Sequence, residues 1–177
     1  SGIDSAYGTM FNIAYPAEIN GEGKTVDLYS YGDAMMDSAK KSVASGDLSK
    51  VYGNSRYVLA IYSEYTSLDV GDKIKIGEEE LEVACVLSEG VGSVSGSPVI
   101  VCSEETYMRL TGERNYALIS VVLGKDISEA SVNRIFDLAD GNLINDNREE
   151  KSDVNGSYWV FRLAAYGFLA IISLITV

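Results

Sequence analysis

The 177-residue sequence contains no histidine, and this absence excludes several kinds of chemistry. Histidine is the commonest general base near neutral pH and the commonest metal ligand. A Ser-His-Asp or Cys-His catalytic group and a histidine-ligated zinc site are therefore excluded. The chain has only two prolines and is 46% hydrophobic, so it can form a substantial core.

Basic residues are also scarce. The sequence has 14 Lys and Arg against 26 Asp and Glu, which gives a formal net charge of −12. Binding to a nucleic-acid backbone needs clustered Lys and Arg, so we expect no nucleic-acid partner. The same charge disfavours a domain that lies flat on an anionic lipid surface.

Few motifs in the sequence carry recognisable chemistry. "GEGKT" at 21–25 resembles the end of a phosphate-binding loop, but Glu18 stands where that motif requires glycine. "EGVGSVSG" is followed by a strand-like segment and not by a helix N-terminus. The two cysteines, Cys85 and Cys102, each lie in an apolar stretch typical of core strands, and the sequence leaves open whether they pair. We therefore expect no catalytic residue, no cofactor, no metal site and no enzyme activity.

The first third of the chain is rich in tyrosine and predicts a β-hairpin. Phe11, Ile13 and Tyr15 alternate as in a half-buried strand, Asn20-Gly21 is a turn signal, and "KTVDLYSY" is the return strand. Its tyrosines are either strand-surface residues or part of a contact face, and Tyr29 and Tyr31 are candidate partner contacts. A helix is predicted over 33–45, with Asp33 as N-cap and Gly46 after its end.

A second hairpin is predicted with more detail. A strand is expected at 57–61, and a two-residue turn at Gly77-Glu78 would pair Lys75 with Glu80 and Lys73 with Glu82. Ile74, Leu81 and Val83 would then share the opposite, apolar face. Charge and apolarity thus predict the same register.

The remainder of the chain alternates between predicted strands and helices. Residues 88–98 form a loop, whose Gly90, Val91 and Val94 are further candidate partner contacts. A short buried strand at 99–102 precedes a helix capped by Ser103 and ended by Gly112. The apolar stretch 116–124 predicts a central strand, a helix runs from Ser128 to Gly141, and "NLIND" predicts a final strand.

This order predicts an α+β fold with two βαβ-like halves. A smaller β-rich piece is predicted between the two halves.

The last twenty residues, 158–177, are apolar except for one arginine, and a helix of about 20 such residues spans a bilayer. We therefore expect this segment to enter the membrane. The alternative interpretations are a buried core helix and an amphipathic helix that forms a dimer. Aromatic residues at the start would lie in the interfacial belt, and the arginine could extend to the headgroups. The predicted membrane-entry residues are Tyr158, Trp159, Arg162, Leu163, Phe168, Ile171, Ile172 and Leu174.

Several segments together resemble a known family. "VGDKIKI", "ELEVACVL", "SPVIVCSEETYMRL", "ALISVVLG" and "YGFLAIISLITV" look in their order like the extracytoplasmic domain of an FtsX-like ABC transporter permease. The order is also similar to a MacB-type periplasmic core domain. The resemblance covers residues 42–177, and its motifs are of low specificity. It implies a two-lobed fold, in which a smaller β-rich subdomain, residues 63–114, is inserted into a discontinuous α/β lobe, residues 1–62 and 115–150. It also implies that residues 151–177 form a stalk and the start of a transmembrane helix.

The resemblance implies a function in transport. Such a domain lies outside the cell membrane between two transmembrane helices, and a cytoplasmic ABC ATPase subunit drives a permease dimer. The implied partners are that ATPase, membrane lipid, and an unknown substrate or extracytoplasmic protein. The alternative hypothesis is a membrane-anchored extracellular binding module that uses a tyrosine-rich face; a carboxylate-based hydrolase is a third.

Overall fold

A computed structural model of the chain describes residues 2–63 and 68–138 and confirms the α+β class. The chain divides into two compact units, Gly2–Asp126 and a second from Ile127 onward. Among the described residues the strands are β1 Ile3–Thr9, β2 Phe11–Ile19, β3 Glu22–Tyr31, β4 Val43–Gly46, β5 Tyr57–Ile61, β6 Lys73–Ile76, β7 Glu79–Leu87, β8 Val99–Ser103 and β9 Leu118–Leu123. The α-helices are α1 Asp33–Ala39, α2 Glu104–Thr111 and α3 Glu129–Leu138, and short 3-10 helices occupy Lys40–Ser42 and Leu48–Val51.

Six of the strands form a closed barrel. Going around it, β7 is followed by β5, β8, β3, β2 and β6, and β6 pairs with β7 to close the ring. Closure leaves these strands without free edges along their paired lengths. A seventh strand, β4, lies outside the ring and extends the sheet by pairing with the C-terminal part of β7.

Two apolar cores lie on opposite faces of this sheet. Because side chains alternate along a strand, Val26 and Leu28 of β3 join the inner core while Tyr29 and Tyr31 join the outer one. The inner core fills the barrel with residues from all six of its strands and with Tyr107 of α2. The outer core lies between the sheet and the segment that contains α1 and the two 3-10 helices.

The second hairpin has the predicted register. Lys73 pairs with Glu82, Ile74 with Leu81 and Lys75 with Glu80. The ammonium of Lys73 lies 2.6 Å from the Glu82 carboxylate, whereas that of Lys75 lies 3.5 Å from Glu18 on the neighbouring strand β2. Ile74, Leu81 and Val83 are buried in the barrel as predicted.

The first hairpin and the helix after β8 are also confirmed. Ile19 pairs with Glu22 around the two-residue turn Asn20-Gly21. The Ser103 hydroxyl accepts the Thr106 N–H at the start of α2, and Gly112 ends that helix at φ 75°, a conformation that costs glycine little.

The predicted helix over 33–45 is wrong in its extent. The helix α1 ends at Ala39, a 3-10 turn follows, and Val43 to Gly46 form strand β4. The N-cap is Gly32 and not Asp33. Val43 is β-branched and pairs with Leu87 at the edge of the sheet. This strand pairing outweighs the helical pattern of the local sequence.

The prediction of a central strand at 116–124 is also wrong. Strand β9 forms there, but among the described residues it pairs only with β1, a strand that sequence analysis missed. Leu118 and Ile119 are 53% and 66% exposed. We call this pair of strands the β1–β9 ribbon.

In the second unit, α3 begins after Ser128, whose hydroxyl accepts the Ser131 N–H at 3.3 Å. The predicted end of that helix at Gly141 and the strand "NLIND" lie outside the described residues. Barrel strands come from both sides of the predicted boundary at residue 63. The division into an α/β lobe and an inserted subdomain stays a prediction.

Candidate partner-binding site

The described residues do not form a metal site. In the ranges 2–63 and 68–138, no three His, Cys, Asp or Glu side chains are grouped so that they could hold an ion. Cys85 and Cys102 are buried and unpaired, and they lie on opposite faces of the sheet with β5 between their strands.

One buried carboxylate organises the loop at 88–98. Asp27 lies on β3 and is fully buried. Its Oδ2 accepts the backbone N–H of Val94 at 2.7 Å and of Ser95 at 3.0 Å, together with the Ser93 hydroxyl at 3.1 Å. The Ser95 hydroxyl donates to Oδ1 at 2.6 Å. The loop is thereby attached to the barrel wall.

The same carboxylate also attaches a bulge in strand β2. The register of β2 against β3 shifts between Asn12 and Tyr15, and Ala14 adopts a positive φ of 52°. The Ala14 N–H donates to Asp27 Oδ1 at 3.0 Å. We call Asp27, Ala14 and residues 93–95 the Asp27 cluster.

The pKa of Asp27 reflects these contacts. Burial by itself raises the pKa of a carboxyl group, but here the hydrogen bonds from the Ser95 hydroxyl and from the N–H groups of Ala14, Ser95 and Val94 outweigh it. The pKa falls to about 2, so the carboxylate is ionised at neutral pH. Sequence analysis missed this residue, although an acid within "TVDLYSY" at an otherwise apolar strand position was a usable signal.

The five predicted contact residues fall in different environments. Tyr29 and Tyr31 are 7% and 5% exposed and belong to the outer core, so little of either side chain is accessible. Gly90 lies against Ile61, Val91 packs on the outer core, and Val94 is 70% exposed. Partner contact stays a prediction for all five.

A groove lies between β1 and α1, next to some of these residues. Two clefts, each of about 410 Å³, meet at Ala6, Tyr7, Ala34 and Met35, which line both. We call this surface the β1–α1 groove. Its other lining residues are Ser5, Gly8, Tyr31, Gly32, Asp33, Ser38, Ala39, Leu87, Glu89, Gly90, Glu104, Tyr116 and Ile119.

The groove has an apolar floor and acidic residues along its length. Glu89 lines one cleft, and Asp33 and Glu104 line the other. None of the described residues lining either cleft is a lysine or an arginine. The Tyr116 ring lies directly against Gly8, where no Cβ would fit, and its hydroxyl donates to Glu104 at 3.2 Å. Sequence analysis missed this groove because its walls come from five separate segments of the chain.

The β1–β9 ribbon brings together the two ends of the unit Gly2–Asp126, which contains the barrel and is called the barrel unit below. Ile3 pairs with Leu123, and the Gly124 N–H donates to the Gly2 carbonyl at 2.8 Å. The chain therefore enters and leaves this unit at neighbouring points.

The predicted membrane-entry residues, from Tyr158 to Leu174, lie outside the described residues. Among residues 2–63 and 68–138, no helix is long and apolar enough to cross a bilayer.

Comparison with known proteins identifies the fold. No protein-family model matches the chain, and no curated protein matches it. Among solved structures, it is similar to the periplasmic region of MacB from Actinobacillus actinomycetemcomitans, with a TM-score of 0.55 and 14% identity. That match covers 76% of this chain and 64% of the other, so this chain aligns with less than two thirds of the MacB region.

Two further structures show the same fold. The extracellular domain of the noncanonic ABC-type transporter YknZ from Gram-positive bacteria matches with a TM-score of 0.53 and 17% identity, over 76% of this chain and 71% of that one. A domain of a protein classed as a permease from Porphyromonas gingivalis matches with a TM-score of 0.50 and 12% identity, over 84% and 73%. The chain has the fold of a MacB-like extracytoplasmic domain, as the sequence resemblance implied.

Proposed function

We propose that this chain is the extracytoplasmic domain of an ABC transporter permease of the FtsX-like type. The domain transmits motion driven by ATP hydrolysis in a separate cytoplasmic subunit, and it contacts a substrate or a partner protein outside the membrane. The observation that carries the proposal is the shared fold with the MacB and YknZ domains, at TM-scores of 0.55 and 0.53. The proposal gives the domain no catalytic role.

The pairing of the two ends of the unit Gly2–Asp126 supports this function. A domain that lies between two transmembrane helices must leave and rejoin the membrane at neighbouring points. Within the unit Gly2–Asp126, the β1–β9 ribbon holds the first and last residues close together, because the Gly124 N–H bonds to the Gly2 carbonyl and the strands pair from Ile3 to Thr9. In the proposal, the ribbon carries displacement of the membrane helices to the barrel.

The remaining parts of the proposal concern the intact protein. Residues 151–177 would form the stalk and enter lipid as the start of a transmembrane helix, the permease would be a dimer, and the domain would lie on the extracytoplasmic side of the cell membrane. The lobes at 1–62 with 115–150 and at 63–114 are the proposed mechanical parts.

A distance measurement in the intact protein tests this function. The full-length protein would be co-expressed with its ATPase, reconstituted in vesicles and labelled with a spin label at Glu78→Cys, an exposed turn of the second hairpin. Cys85 and Cys102 are buried, so the native thiols should not react. We expect the distance between labels on the two copies to change when ATP is added.

The matched control is an ATPase subunit that binds ATP but does not hydrolyse it, which should hold the domain in one state. A protein with a single membrane segment and no associated ATPase would contradict the proposal. That result would favour the alternative, a membrane-anchored extracellular binding module that uses a tyrosine-rich face.

A further inference from the structure

We propose that the β1–α1 groove binds a basic, amphipathic peptide segment of a substrate or partner protein. This inference deepens the proposed function, since it names the class of molecule that the domain contacts. It rests on the groove and its charges, and on the proposed function only for its biological setting.

The shape of the groove fits a short extended segment. Its two clefts lie on either side of a shared centre formed by Ala6, Tyr7, Ala34 and Met35. Two open, adjoining clefts of about 410 Å³ each, which share these four residues, can accept successive side chains of one peptide. Small residues keep the centre open, because Ala6 and Ala34 project only a methyl group.

The floor of the groove favours apolar side chains. The ring of Tyr7 and the thioether of Met35 are half-buried at its centre, and the Thr9 hydroxyl lies 3.7 Å from the Met35 sulfur. A flexible thioether adapts to side chains of different shapes. At one end, Ile119 remains 66% exposed and extends the apolar surface onto the ribbon.

The charges of the groove favour a bound segment with positive charge. Glu89 lies on one side of the centre, and Asp33 and Glu104 lie on the other, with no lysine or arginine among the described lining residues. An acidic partner would be repelled from both clefts, and a neutral one would gain nothing from them. A segment with an apolar residue between two lysines or arginines would pack on the apolar centre and place a cation near the carboxylates on each side.

Peptide binding to the full chain tests the inference. The probes are a short peptide of alternating leucine and lysine and its counterpart with glutamine in place of lysine. We expect the lysine peptide to bind, the glutamine peptide to bind at least ~10-fold more weakly, and added salt to reduce the difference. Glu89→Gln and Glu104→Gln should each weaken binding of the lysine peptide by roughly 2–5-fold.

Matched variants separate the groove from the general acidity of the chain. Glu105→Gln removes the neighbouring exposed charge outside the groove and should leave binding unchanged. Ala34→Arg places a cation and a long side chain at the centre of the groove and should abolish binding, whereas Ala44→Arg at an exposed position of β4 should not. Both alanines are exposed, so either variant should fold.

Three results would overturn the inference. They are failure of the lysine peptide to bind the wild type, binding of this peptide to Ala34→Arg as tightly as to the wild type, and an equal loss of its affinity in Glu104→Gln and Glu105→Gln. The last would mean that the net charge of −12 attracts cations without a site. If binding fails while the ATP-dependent distance change is observed, this inference is wrong and the proposed function stands. If the lysine peptide binds but the distance does not change with ATP, the inference about the groove stands and the proposed function is wrong.

Discussion

Replacing Asp27 with asparagine should destabilise the barrel unit at neutral pH and release the loop at 88–98. Asp27 accepts hydrogen bonds from Ala14, Ser93, Val94 and Ser95, and it is fully buried. An asparagine amide would turn an N–H₂ group toward donors that need an acceptor. Hydrogen bonds to charged groups contribute about 1.5–3 kcal/mol each, and buried unsatisfied donors cost about 1–3 kcal/mol, so we expect a loss of about 3 kcal/mol.

The pH dependence gives a second measure of the stabilisation that the same hydrogen bonds provide. The pKa of Asp27 is about 2 in the folded chain and 3.8 for an unperturbed aspartate. Because the folded-state pKa is the lower one, the carboxylate stabilises the fold above about pH 4 and loses this effect as the pH falls toward 2. A difference of nearly two pKa units corresponds to about 2.5 kcal/mol.

Urea unfolding of the wild type and of Asp27→Asn, followed by circular dichroism between pH 7 and pH 2, measures both effects. The stability difference should be about 3 kcal/mol at pH 7 and well under half of that at pH 2, because only the wild type has a carboxylate to protonate at this position. Amide hydrogen exchange should increase for residues 93–95 in the variant.

Asp69→Asn is the matched control, since Asp69 is exposed, and its effect should stay within about 0.5 kcal/mol. A stability difference that is constant from pH 7 to pH 2 would refute the assigned role of the Asp27 charge. Unchanged exchange at residues 93–95 would refute its role in holding the loop.

Three further predictions concern the barrel and its attachments. Ile74→Ala should cost about 2–5 kcal/mol in urea unfolding because it opens a cavity in the inner core, whereas Val94→Ala at an exposed position should cost almost nothing. Arg109→Ala should cost about 1–3 kcal/mol, because the guanidinium contacts Glu79 at 3.0 Å and the Ser55 carbonyl at 2.7 Å; a value near zero would contradict this. The two native thiols are buried, and burial raises the pKa of each, so a thiol reagent should modify them only at the rate of unfolding; rapid modification in native buffer would show that they are accessible.

The sequence by itself determined the parts of the fold whose causes are local. The turn at Gly77-Glu78 and the register from Lys73 to Glu82 follow from residues within ten positions of each other, so charge and apolar alternation predict them together. The start of α2 at Ser103 and its end at Gly112 are local for the same reason. The fold resemblance also came from the order of such segments.

Tertiary structure decided everything that depends on residues far apart in the chain. Ile19 pairs with Ile74 to close the barrel, and Val43 pairs with Leu87 at the edge of the sheet in spite of a helical pattern, because both pairings join strands that are far apart in the chain. The Asp27 cluster joins Ala14 to a loop nearly seventy residues from Asp27. The β1–α1 groove likewise exists only because the ribbon, α1, the end of β7 and the start of α2 meet in three dimensions.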